Sequence, residues 1–379
     1  MLENPGMSRR KLIGLGAATL AGAALPDALF NLSSAAAAAA GPTEGIGYFA
    51  RFGVTEKMLR DGLAAALSRG ADYADLFFQH RVSNGLGLED GEVNRASTSV
   101  ELGVGVRAVK GDQTGYAYTE DLTPEALVQA AKTAAAIADG PARPGPKGLK
   151  AGTALPARYP VKTRWEDVRP QQKLPLLAGL NEKVLAADKR IRKVNVGFGD
   201  EAGAILIADS NGRVVEDLQP MTRLSLSCVA EQDGRKETNG YNVAGRADIA
   251  FYSPEKLDRI VKEAVSRTLV LFDAVPPPAG EMPVVLGAGA SGILLHEAIG
   301  HGMEADFNRK GVSIFSDRIG KPVANKFVNI VDEGTLENAR GAINVDDEGN
   351  PVGKTMLVEN GILTTYLHDS ISAKHYKVK

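Results

Sequence analysis

Cysteine is almost missing from this chain. One residue, Cys228, among 379 excludes an internal disulfide. It lies in Leu224-Ser-Leu-Ser-Cys-Val-Ala230, whose alternation reads as a strand with the thiol turned into a core, not toward a ligand or substrate. Aromatic residues are scarce at 6%, and 42 glycines predict many tight turns with modest aromatic packing. An excess of positive charge is also lacking. The 44 Lys and Arg residues are balanced by 46 Asp and Glu and interleaved with them, so nothing electrostatic points to a nucleic-acid partner. Finally, the apolar run Leu12–Leu25 is too short and too rich in Gly and Ala to cross a bilayer, so no membrane span is expected. What is left, 44% apolar and 24% charged, is a soluble globular chain longer than one ordinary domain.

The amino terminus reads as an address. Ser8-Arg9-Arg10-Lys11 precedes the apolar run, and no basic residue follows until Arg51. Paired arginines, a weakly apolar core and the Ala35–Ala40 stretch form a twin-arginine export signal over residues 1–41. That reading predicts an exported protein, periplasmic or otherwise extracytoplasmic.

Two mixed α/β units follow. In the first, residues 45–139, a helix from Thr55 presents Met58, Leu59, Leu63, Ala66 and Leu67 on one face. Residues 75–80 read as a strand, Glu89–Glu92 and Lys110–Asp112 as hairpin turns, and Thr123-Pro124 as the cap of a second helix. Residues 140–163 are rich in Pro, Gly and Ala and read as a linker. The second unit, 164–275, has a helix near 172–189, a strand at 194–198, a hairpin at Asp209–Gly212 and a helix from Ser253. The last segment, 276–379, opens with an apolar stretch, Met282–Leu286, expected to be a buried strand. A helix from Ser291 comes next. Val331–Gly334, Asp346–Gly349 and Glu359–Gly361 then read as exposed acidic turns of a hairpin meander rather than as a calcium site or carboxylate dyad.

The sharpest chemical signal is His296-Glu297-Ala298-Ile299-Gly300-His301. Neutral imidazoles bind zinc, and a carboxylate beside one of them can take the proton of a water activated by the metal. The histidines are five apart, not the four that put two side chains on one helical face. At about 100° per residue the rings would diverge by roughly 140° on a regular helix. A single-turn π-bulge absorbs the extra residue, and Gly300 is its expected place. The competing reading is two histidines on an ordinary helix with Glu297 solvated. Glu304 and Asp306 read as acceptors that orient the imidazoles, or as plain surface acids. His80, His368 and His375 are poor candidates for a third ligand.

The stretch Leu294–Lys310 resembles the core motif of the TldD/PmbA metallopeptidase family. The likeness continues through Val331–Thr335, Val345–Gly349 and Glu359–Leu363, and Ala71–Phe78 and Gly103–Arg107 are similar to its first domain. It covers the chain from about Thr55 onward. It implies an α+β fold: the two units with mainly antiparallel sheets, then an incomplete β-rich metallopeptidase domain, 276–379, entered through the HExxxH helix. It also implies zinc on His296 and His301, Glu297 as catalytic base, and hydrolysis of unfolded or extended peptides, among them leader peptides of modified peptide antibiotics and an antitoxin. Members form homodimers or heterodimers with a PmbA-like subunit, and the familiar ones are cytoplasmic. The family's third zinc ligand is a cysteine in a carboxy-terminal segment, and Cys228 does not match it. A carboxy-terminally truncated, weakly zinc-binding and inactive chain is therefore expected. The alternative is a non-catalytic peptide-binding or assembly subunit. An export-linked metal store is a poorer reading, because one compact motif is not a metal-rich tract.

Overall fold

The computed structural model describes residues 47–151, 155–156 and 158–378. Three long strands dominate it: β1 (Tyr73–Glu89), β5 (Ile191–Asp209) and β6 (Arg213–Gln232). With β2 (Glu92–Lys110), β3 (Gln113–Thr119), β4 (Lys150–Ala151) and β7 (Arg235–Gly245) they make one seven-stranded sheet. Its order is β3-β2-β1-β5-β6-β4, with β7 also on β6, and every pairing but β4–β6 is antiparallel. β1 and β5 come from the two different α/β units, so both units share this sheet.

Side chains alternate between the faces of a strand, and parity sorts the contacts. Even-numbered positions of β1, β2, β5 and β6 face the helices. Leu76, Phe78, Val104, Val106 and Leu206 pack under α1 (Glu56–Ala66) and α2 (Pro124–Ala135). Leu86, Leu88, Val196, Phe198, Leu224, Leu226 and Cys228 pack under α3 (Pro170–Ala187) and α4 (Pro254–Leu269). The helices start where the sequence indicates. Thr55 Oγ1 accepts from Met58 N at 3.2 Å and Thr123 Oγ1 from Ala126 N at 3.3 Å, each satisfying a donor that the first turn cannot pair. Ser253 does the same for α4.

Odd-numbered positions meet the carboxy-terminal segment. Ile205, Ile207 and Val215 cluster with Val345, and the polar contacts lie on the same face. Arg107 binds both Asp75 oxygens and reaches Glu348 at 2.8 Å, and Glu348 in turn accepts from the Ser370 amide and hydroxyl at 2.9 and 2.7 Å. The buried Tyr159 hydroxyl donates to Asp217, which also accepts from Asn344 Nδ2 at 2.9 Å. Further along, the odd face is open, and a groove of about 550 Å³ runs over Gly87, Gly197, Ser225 and Gly240.

Several expectations change. The Pro/Gly stretch after Gly140 packs back on the first unit: Arg143 N donates to Leu67 O at 3.1 Å and its side chain pairs with Asp72 at 2.8 Å. Met282–Leu286 is neither strand nor core. Val285 is 98% exposed, because an apolar run becomes a strand only when a partner pairs with it, and none does among the described residues. Ile330–Glu333 is a strand, β8, on β9 (Lys354–Glu359), where a turn was expected, since long-range pairing overrides the turn preference of its acids. β10 (Ile362–Leu363) completes that small sheet after a tight turn at Asn360 and Gly361, both with positive φ as the Asn-Gly pair predicts. Asp346–Gly349 is a turn as expected, but Glu348 is taken up by Arg107 instead of by solvent. His80 lies in the first core, where Tyr48 Oη donates to Glu166 at 2.9 Å and so accepts from His80 Nδ1 at 2.7 Å. Burial holds this imidazole below its ordinary pKa.

Burial is the larger influence on the Asp75 carboxyl and pushes its pKa up, with Arg107 pulling it down. Arg107→Ala removes that counterweight and should destabilise the chain by about 3 kcal/mol near neutral pH. With the folded pKa raised further, the native state holds the proton that the unfolded state has released, so the loss should grow as pH rises from 5 to 8. Urea unfolding at the two pH values checks both parts.

Candidate metal centre

Helix α5 (Ser291–Leu295) runs into a π turn, His296–Gly300, then a short 3₁₀ turn, His301–Met303, and α6 (Ala305–Arg309). The His301 N–H donates to the carbonyl of His296, five residues back, which is the hydrogen bond that defines a π turn. This is the distortion that the spacing of the histidines requires. It brings the rings to 4.6 Å between centroids at 66°, and ligand-capable atoms of His296, Glu297 and His301 lie within 4.8 Å of one another. Two nitrogen donors and one carboxylate oxygen, grouped so closely, fit the donor preference of zinc.

Each member has its own surroundings. His301 Nδ1 lies 2.7 Å from Glu304 Oε1, and a carboxylate can only accept, so Nδ1 carries the proton and Nε2 is the atom left for a ligand. Glu297 Oε2 is 3.8 Å from that Nε2. His296 and Glu297 make no other side-chain hydrogen bond among the described residues. The Glu297 side chain is 65% exposed and that of His301 49%, so the group is open to solvent.

The remaining candidates are elsewhere. Asp306 pairs with Lys310 at 3.6 Å. His368 meets Tyr366 and Tyr376 edge to face, where burial lowers its pKa, and His375 meets Tyr376 in the same way. Cys228 is buried with its sulfur 3.2 Å from Thr268 Oγ1, and burial raises its thiol pKa, as suits a core cysteine. Two residues that sequence reasoning passed over, Asn308 and Ser313, bind the Gly302 carbonyl just beyond the π turn. Asn308 stands within the motif, but nothing in residue type or spacing separates a buried amide from a surface one.

Gly300 closes the π turn, as expected, but the tightly packed glycine is Gly302. A Cβ on Gly300 would meet nothing closer than 3.8 Å, whereas one on Gly302 would stand 3.0 Å from the buried Phe315 ring. Gly302→Ala should therefore cost about 1 kcal/mol or more through overpacking. Gly300→Ala should be neutral or gain up to ~1 kcal/mol from helix propensity. Equal unfolding midpoints for the two variants would refute this.

The chain aligns in order with models of PmbA/TldA metallopeptidase domain 1 over residues 74–138, the central domain over 163–272 and the C-terminal domain over 279–379. A metalloprotease TldD homologue of Haemophilus influenzae is 38% identical over 316 residues, which are 81% of this chain and 65% of that one. This chain thus spans somewhat less than two thirds of that relative. TldE from Thermococcus kodakarensis, 19% identical, shares the fold with a TM-score of 0.66 over 86% of this chain and 72% of its own. A Thermotoga maritima protein described as a modulator of a DNA gyrase does so at 22% identity and a TM-score of 0.69, over 86% and 73%. One expectation is corrected here. The relatives are TldD homologues, for which the resemblance implied a cytoplasmic setting, so the twin-arginine signal and periplasmic address are withdrawn; the residues on which they were read lie outside those described. Three domain models of one family, consecutive along the chain, and a TldD homologue 38% identical over 81% of it place it in the PmbA/TldD metallopeptidase family.

Proposed function

We propose that this chain belongs to the catalytic, TldD-like side of its family and serves in zinc-dependent hydrolysis of unfolded or extended peptides. His296 and His301 are the metal ligands and Glu297 is the base. The observation that carries the reading is the π turn, which gathers two imidazoles and a carboxylate five positions apart onto one side of the helix. A structural helix has no need of that distortion. Zinc bound there would supply Lewis acidity toward water and toward a peptide carbonyl.

Glu297 does the proton work. Its carboxylate is exposed and accepts no hydrogen bond from its neighbours among the described residues, so it is available to take a proton from the attacking water and return it to the leaving nitrogen. Glu304 keeps the His301 proton on Nδ1, which leaves Nε2 able to donate its lone pair. Hydrolytic zinc usually has three protein ligands. With Glu297 as base, two are present, and the resemblance implies a cysteine as the third. The family resemblance implies a two-subunit working form, either with a PmbA-like partner or with a second copy.

Glu297→Gln keeps the shape of the side chain and removes its basicity. In the whole protein it should retain zinc and lose at least about 100-fold in cleavage of an unfolded peptide. His296→Ala and His301→Ala should lose the metal as well. Cleavage by Glu297→Gln at the parental rate would mean that another group is the base.

A further inference from the structure

The two histidines are supported unequally. The helix that delivers them is barely packed: Ile293, Leu294 and Leu295 are 64%, 54% and 41% exposed. His296 makes no side-chain hydrogen bond among the described residues, and its ring meets that of His301 edge to face. His301 is fastened from its carboxy-terminal side. Met303 and Ala305 are each 1% exposed and sit in the core built around Phe315, Leu357, Val358 and Tyr366. Between them Glu304 forms a parallel bridge with Leu367: Leu367 N donates to Met303 O at 2.9 Å and Ala305 N to Leu367 O at 2.8 Å. Inside that bend lies Asn308, 4% exposed, whose Nδ2 donates to the carbonyls of Gly302 at 2.9 Å and Glu304 at 2.7 Å. Ser313 Oγ donates to the same Gly302 carbonyl.

We infer that Glu304 and Asn308 are positioning residues for the metal centre: Asn308 fixes the bend Gly302–Glu304, and the bend holds the Glu304 carboxylate against His301 Nδ1–H. The inference rests on the metal reading above and adds to it how one ligand is oriented. Its physical content is specific. A buried amide with two donors can bind two carbonyls that face it. A carbonyl so bound cannot turn, and the Glu304 side chain leaves the main chain at a fixed angle. His301 is thereby kept in one tautomer and one ring orientation, while His296 is free to adjust as a ligand arrives. Glu304 holds Nδ1, the ring nitrogen opposite the one left for the metal, so it acts as a positioning residue and not a catalytic one. Its influence passes through the imidazole.

The test compares Glu304→Ala, Glu304→Gln and Asn308→Ala with the unaltered chain. Zinc dissociation constants come from competition with a chelator, and the His301 Nδ1–H resonance is recorded by nitrogen-15 NMR without metal. Glu304→Ala should weaken zinc about 10- to 100-fold and abolish the protected Nδ1–H resonance. Glu304→Gln, whose amide oxygen still accepts from Nδ1–H, should restore the resonance and most of the affinity. Asn308→Ala should weaken both, with Glu304 unchanged. The zinc measurements are made in the whole protein: if it binds no zinc unaltered, the metal reading fails, and the resonance still decides the brace. A resonance absent from the unaltered chain, or unmoved by Glu304→Ala, overturns the brace whatever the metal does. So does its loss with no change in zinc affinity.

Discussion

Everything in this molecule hangs on the pairing of β1 with β5. Fifteen residue pairs, from Asp75 opposite Asp209 to Glu89 opposite Asn195, join the two α/β units without a register shift. Each unit alone has a helix pair and part of a sheet, and each would leave a long open strand edge, a form that proteins rarely tolerate. Paired, they give a surface long enough to hold two helical cores side by side on one face and to receive the metal-bearing segment on the other. Both cores are small in aromatic content, as the composition indicates, and rely instead on close packing of Leu, Val, Ile and Ala.

The metal-bearing segment is attached by different means. Apart from Val345 against Ile205, Ile207 and Val215, the bonds named between it and the sheet are polar and charged: Arg107 with Glu348, Arg213 with Asn350 and the Glu348 carbonyl, and Asn344 with Asp217; Arg158, in the connection after β4, adds bonds to the carbonyls of Thr335 and Val352. Directional bonds of this kind fix an orientation more than they add stability. A third core, around Met303, Phe315, Val358 and Tyr366, then carries that orientation to the bend beside His301.

What could be read in the sequence was whatever depended on near neighbours. Caps at Thr55, Thr123 and Ser253, the Asn360-Gly361 turn and the π turn all follow from a few adjacent residues, and the five-residue histidine spacing leaves few ways to form a site. What was not legible depended on distant partners. Glu348 and an ordinary surface glutamate have the same local sequence signature, and only the arrival of Arg107, 241 positions earlier in the chain, separates them. The apolar residues of Met282–Leu286 resemble a core strand in composition, although pairing, which composition does not encode, is what makes one. Gly300 looked like the necessary glycine because it lies at the distortion. The need arises at Gly302, where a ring from Phe315, thirteen residues on, fills the space.

The strict parity of the long strands has an evolutionary side. Even positions of β1, β5 and β6 belong to the helical cores, and odd positions of the same strands hold the segment that carries the histidines. A single-residue insertion or deletion within β1 would carry Leu86 and Leu88 to the wrong face and Gly87 into the core. Length variation in descendants of this sheet should therefore arise in steps of two, or be confined to the turns, such as Asp90-Gly91 and Asp233-Gly234, where positive φ already ends the alternation.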